Sequence, residues 1–287
     1  MNIFWTVFHF QIIMNFTKKQ ISIIISLLVF SLSYCQIAKT DSLRGEFTYL
    51  LKYKPNSLTK DYMLKEFFSL QITDTRAFFI SDNQLKFDSA FTVQFNNRNS
   101  SLDLRSVPST KFTFLIIHTV DNTQFYQLAG MTSLSYNTPI INTWKLIDET
   151  KIINSVACKK AEVRYKGRDW TAWYSTEIPF PYGPYKFSGL PGLIVKITDK
   201  TGDYDFELVK SLSNVNLKGK VISVNDSRYK NAKLVTQKEL VQARENFRQN
   251  ARKQMESMGT VFMDDDNGKS RLKESEKAGH NPIELED

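Results

Sequence analysis

Apolar and polar residues alternate along most of this chain, which is the pattern of strands with one buried and one exposed face. In the clearest hairpin, Ala161, Val163 and Tyr165 alternate with charged residues before a turn at Gly167-Arg168. Further strand-like runs cover residues 45–53, 66–73, 76–81, 112–120, 124–129, 142–148, 169–174, 193–197, 204–210 and 221–224. The pattern predicts a mainly β protein with a single curved or partly closed antiparallel sheet and no long helix between its strands.

The motif Gly189-Leu190-Pro191-Gly192-Leu193-Ile194 predicts a rigid turn that leads into a strand. Pro191 presets φ at the second position of a type II turn, and Gly192 tolerates the positive φ of the third position. No side chain in the motif can act as an acid, a base or a nucleophile. We therefore interpret it as a structural turn rather than a catalytic loop.

The C-terminal part of the chain changes from a period of two to a helical period. Thr236 and Glu239 form a capping box, which predicts the start of a helix over residues 236–259. One apolar stripe then recurs at helical spacing, at Leu240, Ala243, Phe247, Ala251, Met255 and Met258, and Gly259 is a candidate C-cap. We expect this amphipathic helix to dock on the sheet; the alternative is a helix that faces a partner or a membrane. The composition of residues 260–287 predicts a polar, acidic tail that is disordered until residues 281–285 are reached.

The N-terminal residues predict an export signal. Lys18 and Lys19 precede an apolar stretch at residues 21–34 that is too short to span a bilayer, and Met14 is the natural start of this signal. Small residues place cleavage after Cys35; the alternative, lipidation of Cys35, is disfavoured by the bulky Tyr34. The predicted domains are a signal peptide (1–35), a β domain (36–235), the helix (236–259) and the tail (260–287). We expect an exported protein, periplasmic or associated with the outer membrane, with no transmembrane helix after cleavage.

Charge and cysteine content limit the candidate partners. The formal net charge is +8, and removal of residues 1–35 takes away two lysines and no acidic residue, which leaves +6. The basic residues are spread along the chain without a cluster, so nucleic acid is not an expected partner. Cleavage after Cys35 leaves Cys158 without a partner for a disulfide, and we expect it to be structural.

Residue types and spacings do not indicate a metal or cofactor site. The histidines of the mature chain, His118 and His280, show no ligand spacing with Cys158. The acidic run at residues 264–268 resembles a calcium loop, but Met263 stands where the first ligand is required. No phosphate loop, dinucleotide fingerprint or nucleophile elbow is present, so we expect no cofactor and no enzymatic activity. If the protein were a hydrolase, Glu177 and Asp199 would be the first carboxylates to test.

Aromatic residues are concentrated just before the turn motif, in and around a proline-rich loop. Alternation along the strands predicts that about half of them lie in the core, and core packing is the favoured interpretation. The alternative is that the others line a cavity for an acyl chain, a sugar or a peptide. The candidate ligand-binding residues are Trp170, Trp173, Tyr174, Phe180, Tyr182, Tyr185 and Phe187.

Residues 144–199 resemble the GLPGLI family of exported Bacteroidetes proteins, also called the Porphyromonas gingivalis-type family of unknown function. Besides the six-residue motif, the matching residues are Trp144, Cys158, Lys160-Ala161, Gly167-Arg168, Ala172-Trp173-Tyr174, Glu177-Ile178-Pro179 and Gly183-Pro184. The resemblance implies a Gram-negative envelope protein without established activity, often encoded near TonB-dependent outer-membrane receptors. It also implies a sheet similar to the half-barrel of lipoprotein-localisation carriers.

Three hypotheses follow for function. The first is a non-enzymatic envelope protein that binds a hydrophobic ligand, such as a lipid, or a partner segment. The second is an accessory or structural component of TonB-dependent outer-membrane transport, with receptor components as partners. The third is a hydrolase that uses Glu177 or Asp199.

Overall fold

The computed structural model describes residues 41–59, 61–96, 107–212, 214–257, 279 and 281–286, and its strands form one large, open, curved sheet. The strands are β1 Gly45–Tyr53, β2 Leu64–Ile72, β3 Ala77–Ser81, β4 Leu115–His118, β5 Asn122–Ala129, β6 Thr132–Pro139, β7 Lys145–Ile153, β8 Val156–Tyr165, β9 Arg168–Ser175, β10 Leu193–Asp199, β11 Tyr204–Ser211 and β12 Lys233–Leu234. The helices are α1 Asp82–Asn96, α2 Asn214–Leu217 and α3 Gln237–Ser257, with a 3-10 turn at Asp226–Arg228.

The sheet consists of two meanders that β1 joins. The strand order is β12-β6-β5-β4-β3-β2-β1-β11-β10-β9-β8-β7, and β1 pairs with β2 on one side and with β11 on the other. Every pairing is antiparallel except the short parallel contact of β12 with β6, so the sheet is mixed. The predicted fold class, mainly β with a curved sheet and a C-terminal helix, is confirmed.

The two faces of the sheet carry cores of very different size. The larger core includes Tyr49, Phe79, Ile116 and most of the aromatic residues that follow β9. The smaller core lies on the opposite face of β3, β4 and β5, where residues 222–232 and Leu85 cover it. Because both faces of β3 are covered, all five of its residues are buried.

Two elements of the first meander are absent from the sequence-based prediction. Residues 82–96 form α1, which begins directly after β3 because the Ser81 hydroxyl accepts hydrogen bonds from the backbone N–H groups of Asn83 and Gln84. The expectation of no long helix between strands is therefore wrong. Strand β6 was also not expected, and the run at residues 221–224 is not a strand but part of the cover of the smaller core.

The turn motif has a tighter geometry than expected. Gly192 has a positive φ of 153°, as predicted, but its N–H bonds to the Leu190 carbonyl at 2.8 Å, which is the pattern of a γ-turn centred on Pro191. The type II assignment is therefore wrong. A Cβ atom at Gly192 would lie 2.0 Å from the Ser175 carbonyl oxygen. Close approach to the end of β9 is thus the main reason that this position requires glycine.

Helix α3 begins as predicted. The Thr236 hydroxyl accepts a hydrogen bond from the Glu239 N–H at 3.2 Å, while the Glu239 carboxylate accepts one from the Thr236 N–H at 2.8 Å. Leu240 is buried in the larger core and Ala243 packs against it. None of the described helices has both the length and the apolar character needed to cross a bilayer.

Several predictions fall outside the described residues. They are the signal peptide with its start at Met14 and its processing at Cys35, the end of the helix at Met258 and Gly259, the Met255 side chain, the acidic run at 264–268 and His280. The final residues of the predicted tail are described, however. Residues 281–286, called the C-terminal strap below, pack against the β domain through buried contacts.

Candidate functional site

The predicted aromatic site is a packed part of the larger core. Trp170, Tyr174, Tyr182, Tyr185 and Phe187 are buried, and the Trp170 and Phe187 rings lie 4.7 Å apart between their centroids. Phe180 is half-buried against Phe47, and Trp173 is half-buried on the opposite face, where the ammonium groups of Lys151 and Lys160 lie over its ring. The structure therefore brings most of these side chains together as core, and ligand binding by them stays a prediction.

The C-terminal strap closes this region through a buried ion pair. Lys186 is 2% exposed, and its ammonium donates to Glu284 at 2.6 Å and to the Tyr136 hydroxyl at 2.7 Å. The Phe125, Tyr136 and Tyr185 rings surround the same ammonium at about 5 Å. Burial lowers the pKa of Lys186, and the Glu284 carboxylate opposes that shift.

A second buried cation holds the start of the strap. Arg168 donates to Asp199 at 2.7 Å, to the Asn281 side-chain oxygen at 2.5 Å and to the Pro282 carbonyl at 2.8 Å. Asn281 in turn donates to the Lys54 carbonyl, and its own carbonyl accepts from the Tyr204 hydroxyl. These bonds tie the start of the strap to buried groups of the sheet, so the strap is an integral part of the domain. Among the described residues the buried Arg168 Nε atom has no hydrogen-bond partner.

The two candidate catalytic carboxylates lie apart. Asp199 forms an ion pair with Arg168 and also accepts hydrogen bonds from the Thr201 hydroxyl and the Tyr204 N–H. Glu177 is exposed beyond the other end of the β9–β10 pair, because Asp199 lies opposite Trp170 whereas Ser175 lies opposite Leu193. The structure therefore does not bring these carboxylates into one site.

The surroundings of His118 and Cys158 indicate structural roles for both side chains. Both ring nitrogens of His118 are bonded, to the Thr123 hydroxyl and to the Tyr185 carbonyl, and burial lowers its pKa to about 4. Cys158 is buried, and burial raises the pKa of its thiol to about 11. Among the described residues, no group of three His, Cys, Asp or Glu side chains is arranged to hold a metal ion.

A large groove lies between α3 and the first meander. Its volume is about 860 Å³, within the range usual for ligand sites, and it is called the α3 groove below. Its walls are mainly apolar side chains from four segments that are distant in sequence. They are Phe87 of α1, Val107 and Pro108, Leu128 and Ala129 of β5, and Val241, Phe247 and Ala251 of α3.

The charged groups of the α3 groove differ in how they are compensated. Arg228 at its base pairs with Asp88 and donates to the Thr113 carbonyl at 3.0 Å, and Arg248 pairs with Glu245. Arg244 has no ion pair or hydrogen bond within the part of the chain that the structure describes. Arg244 is exposed as a whole residue, and the part of its side chain that packs along the groove lowers the pKa of its guanidinium by desolvation.

Sequence reasoning missed this groove because α1 was not predicted. A signal was nevertheless present in α3, where Val241, Arg244, Arg248 and Ala251 recur at spacings of three and four beside the apolar stripe. Phe247, which the stripe assigned to the core, is 42% exposed and lines the groove. The helix therefore carries a second, amphipathic face next to the one that docks.

A second, smaller pocket of about 650 Å³ adjoins the strap region. It lies between residues 136–143, Tyr165, Lys166 and the start of α3 at residues 234–237. Tyr136, which accepts a hydrogen bond from Lys186, forms part of its wall. Tyr136 thus belongs both to this pocket and to the surroundings of the buried ion pair.

Comparison with known proteins finds a family model that matches the segment containing most of the hairpin and the turn motif. Residues 162–196 match the family model described as "Protein of unknown function (Porph_ging)", which confirms the predicted resemblance. No curated protein matches this chain significantly.

Solved structures show only distant likeness. PNGF-II in its C2 space group is 13% identical with a TM-score of 0.49, and the match covers 71% of this chain and 33% of that chain. PNGF-II in its P21 space group has the same identity and coverage and a TM-score of 0.48. An uncharacterized conserved protein from Thermus thermophilus is 10% identical with a TM-score of 0.30, over 67% of this chain and 88% of that chain. Similarity at this level assigns no function.

Proposed function

We propose that this chain, whose residues 162–196 carry the match to the Porph_ging family, is an exported, non-enzymatic protein of the cell envelope that binds a hydrophobic ligand in the α3 groove. Export rests on the predicted signal peptide. The observation that carries the binding function is the groove itself, about 860 Å³ in volume with mainly apolar walls. A group of solvent-exposed apolar side chains that lines one groove is typical of a binding surface.

The exposed apolar side chains of the groove support a ligand rather than further core packing. Leu128 is 41% exposed, Phe247 42% and Val241 56%, and all three face the same space. Burial of such surface contributes roughly 25 cal/mol per Å². An apolar ligand that covers the three side chains therefore gains binding free energy without any rearrangement of the sheet.

The role of the carboxylates supports a binding protein over a hydrolase. Asp199 is nearly fully buried and accepts from Arg168 at 2.7 Å, and it also orders the β10–β11 turn through the Tyr204 N–H. A carboxylate in such a network stabilises the fold and is not poised to exchange protons with a substrate. We therefore assign Asp199 a structural role.

The test is to measure ligand binding by the exported full chain and by groove variants. The protein is purified from the envelope without detergent, and its solvent extract is analysed by mass spectrometry. Affinity for the fluorescent probe N-phenyl-1-naphthylamine is then compared between the wild type, Val241→Asp and Leu128→Asp. Both variants are expected to bind at least about tenfold more weakly, because each places a carboxylate in the apolar wall.

Val120→Asp is the matched control, because Val120 is 76% exposed and lies outside the groove. This variant is expected to bind the probe as the wild type does. Thermal unfolding of each variant checks that it is folded. No probe binding by the folded wild type, or equal binding by all variants, would overturn the proposal.

A second candidate function, a component of an outer-membrane transport assembly, is favoured by edge strand β7. Among the described strands β7 pairs only with β8, and its Leu146 and Ile152 side chains are exposed. An exposed edge with apolar side chains can accept a partner strand. A photo-crosslinking residue at position 152 is expected to capture a receptor component in the native envelope, with position 120 as the control; recovery of no such partner would exclude this role.

A further inference from the structure

Within the α3 groove one cation has no counter-ion among the residues that the structure describes. Three arginines line the groove, and two of them are neutralised, Arg228 by Asp88 and Arg248 by Glu245. Arg244, between them, makes no ion pair or hydrogen bond with any residue that the structure describes. As far as the described residues go, the groove therefore presents one uncompensated positive charge on a mainly apolar wall.

Arg244 lies on the same face of α3 as the apolar side chains that line the groove. On α3, Arg244 lies one turn after Val241 and one turn before Arg248, so all three share the helix face that lines the groove. Phe247 and Ala251 continue the apolar wall beyond it. From Val241 to Ala251 the helix presents this wall over about 15 Å.

A guanidinium in such a position favours a planar anion. It offers two parallel N–H donors that match a carboxylate, and the pair gains strength where water is excluded by apolar neighbours. Arg244 is an exposed residue, so an anion from solvent can reach its guanidinium, while the apolar side chains of Val241 and Phe247 line the same groove. A single uncompensated cation matches a single negative charge.

We infer that the ligand of the α3 groove is a long-chain fatty carboxylate, with its acyl chain against Phe87, Leu128 and Phe247 and its carboxylate on the Arg244 guanidinium. This inference rests on the proposed function, since it names the class of the hydrophobic ligand. It adds that the site recognises the head group as well as the chain. Arg244 is then the residue that determines specificity.

The test compares ligands that share a chain but differ in the head group. Displacement of N-phenyl-1-naphthylamine from the full chain is measured with oleate, oleyl alcohol and oleoyl lysophosphatidylglycerol, each below its micelle concentration. Oleate is expected to bind at least about tenfold more tightly than oleyl alcohol, because a hydrogen bond to a charged group is lost in the alcohol. Arg244→Met is expected to abolish this difference, because it removes the only contact that distinguishes the carboxylate from the alcohol.

Lys238→Met is the matched control, since Lys238 is an exposed cation on the same helix outside the groove. It removes the same charge and is expected to keep the preference for oleate. Equal affinities for oleate and the alcohol, a preference that survives Arg244→Met, or tighter binding of the lysophospholipid would each overturn the inference. In those outcomes the probe still binds and the proposed function stands, whereas a failure of every ligand and of the probe overturns the proposed function itself.

Discussion

The tautomer of His118 follows from its hydrogen bonds. Nε2 lies 2.9 Å from the Tyr185 carbonyl oxygen and therefore carries the proton, while Nδ1 accepts from the Thr123 hydroxyl at 3.0 Å. The Tyr182 ring packs beside the imidazole. These contacts are all uncharged, so nothing beside the ring compensates a second proton, and burial lowers its pKa to about 4.

The first prediction concerns stability in acid. In the unfolded chain His118 takes up a proton near pH 6.5, whereas in the folded protein it does so only near pH 4. The unfolded state therefore binds more protons in this window, and the free energy of unfolding falls as the pH drops from 6.5 to 4, by about 3 kcal/mol in total.

Urea unfolding at a series of pH values measures this slope. His118→Gln removes the titrating group, so its stability is expected to vary less with pH over the same window, even if it is lower throughout. The same slope in the wild type and in the variant would contradict the assignment to His118.

The second prediction concerns Gly192. Gly192→Ala is expected to lower the free energy of unfolding by at least about 2 kcal/mol, because the new Cβ would meet the Ser175 carbonyl oxygen at 2.0 Å as well as being strained at positive φ. Gly202→Ala is the control, since Gly202 also has positive φ but has nothing within 4 Å of a Cβ. Equal losses in the two variants would show that backbone strain alone matters.

Sequence could predict the strain at Gly192 but not the close contact. A Pro-Gly pair indicates a turn with positive φ wherever it occurs. The contact of Gly192 with Ser175 depends on the pairing of β9 with β10, in which Leu193 lies opposite Ser175. That pairing belongs to the tertiary structure, and no local sequence pattern predicts it.

At the scale of elements, the sequence predicts strands that have one buried and one solvent-exposed face, but it does not predict α1 or β6. Buried and partly exposed residues alternate along the whole of β1, and its predicted bounds are those of the structure. Helix α1 lacks a clear apolar stripe, because Leu85 packs on the smaller core while Phe87 faces the α3 groove. Strand β6 carries only two buried apolar side chains, Leu134 and Tyr136, which is too few for alternation to be recognised.

The third prediction concerns the β8–β9 hairpin. Arg168→Ala is expected to lower the free energy of unfolding by about 3–5 kcal/mol, because it leaves the buried Asp199 carboxylate without its cation and releases Asn281. Arg164→Ala in the same hairpin is the control. Its partners Asp169 and Glu286 are exposed, so the change is expected to stay within about 0.5 kcal/mol.

Denaturant unfolding monitored by tryptophan fluorescence measures both variants. The Arg168 variant is also expected to expose the strap to proteolysis ahead of global unfolding, since two of its anchoring bonds are lost. A loss in Arg164→Ala as large as that in Arg168→Ala would contradict the distinction between buried and exposed pairs.

At the scale of the whole molecule, the candidate site is built from segments that no local pattern connects. The α3 groove joins residues near 84–87, 107–113, 128–130 and 241–251. The aromatic concentration after β9 was visible in the sequence, and so was the possibility that it forms core. What covers that core, the strap with Glu284 and Asn281, depends on contacts across about a hundred residues of chain.

The fourth prediction concerns the ion pair between the strap and the core. Glu284→Gln is expected to lower the free energy of unfolding by about 3 kcal/mol, because the Lys186 ammonium stays buried without its counter-ion. Adding Lys186→Met removes the uncompensated charge and is expected to restore most of the loss. Calorimetry of both single variants and the double variant measures this coupling; additive losses would exclude it.

The position of the strap in the sequence has a consequence for truncated chains. Residues 281–286 follow all twelve described strands, so a chain cut ahead of the strap keeps every strand of the sheet but lacks Asn281 and Glu284. In such a chain Lys186 has lost its counter-ion and Arg168 keeps only Asp199 and Asp203 as acidic partners. Water then replaces the strap beside both cations, and the truncated sheet is expected to open and be cleaved by proteases more readily than the intact chain.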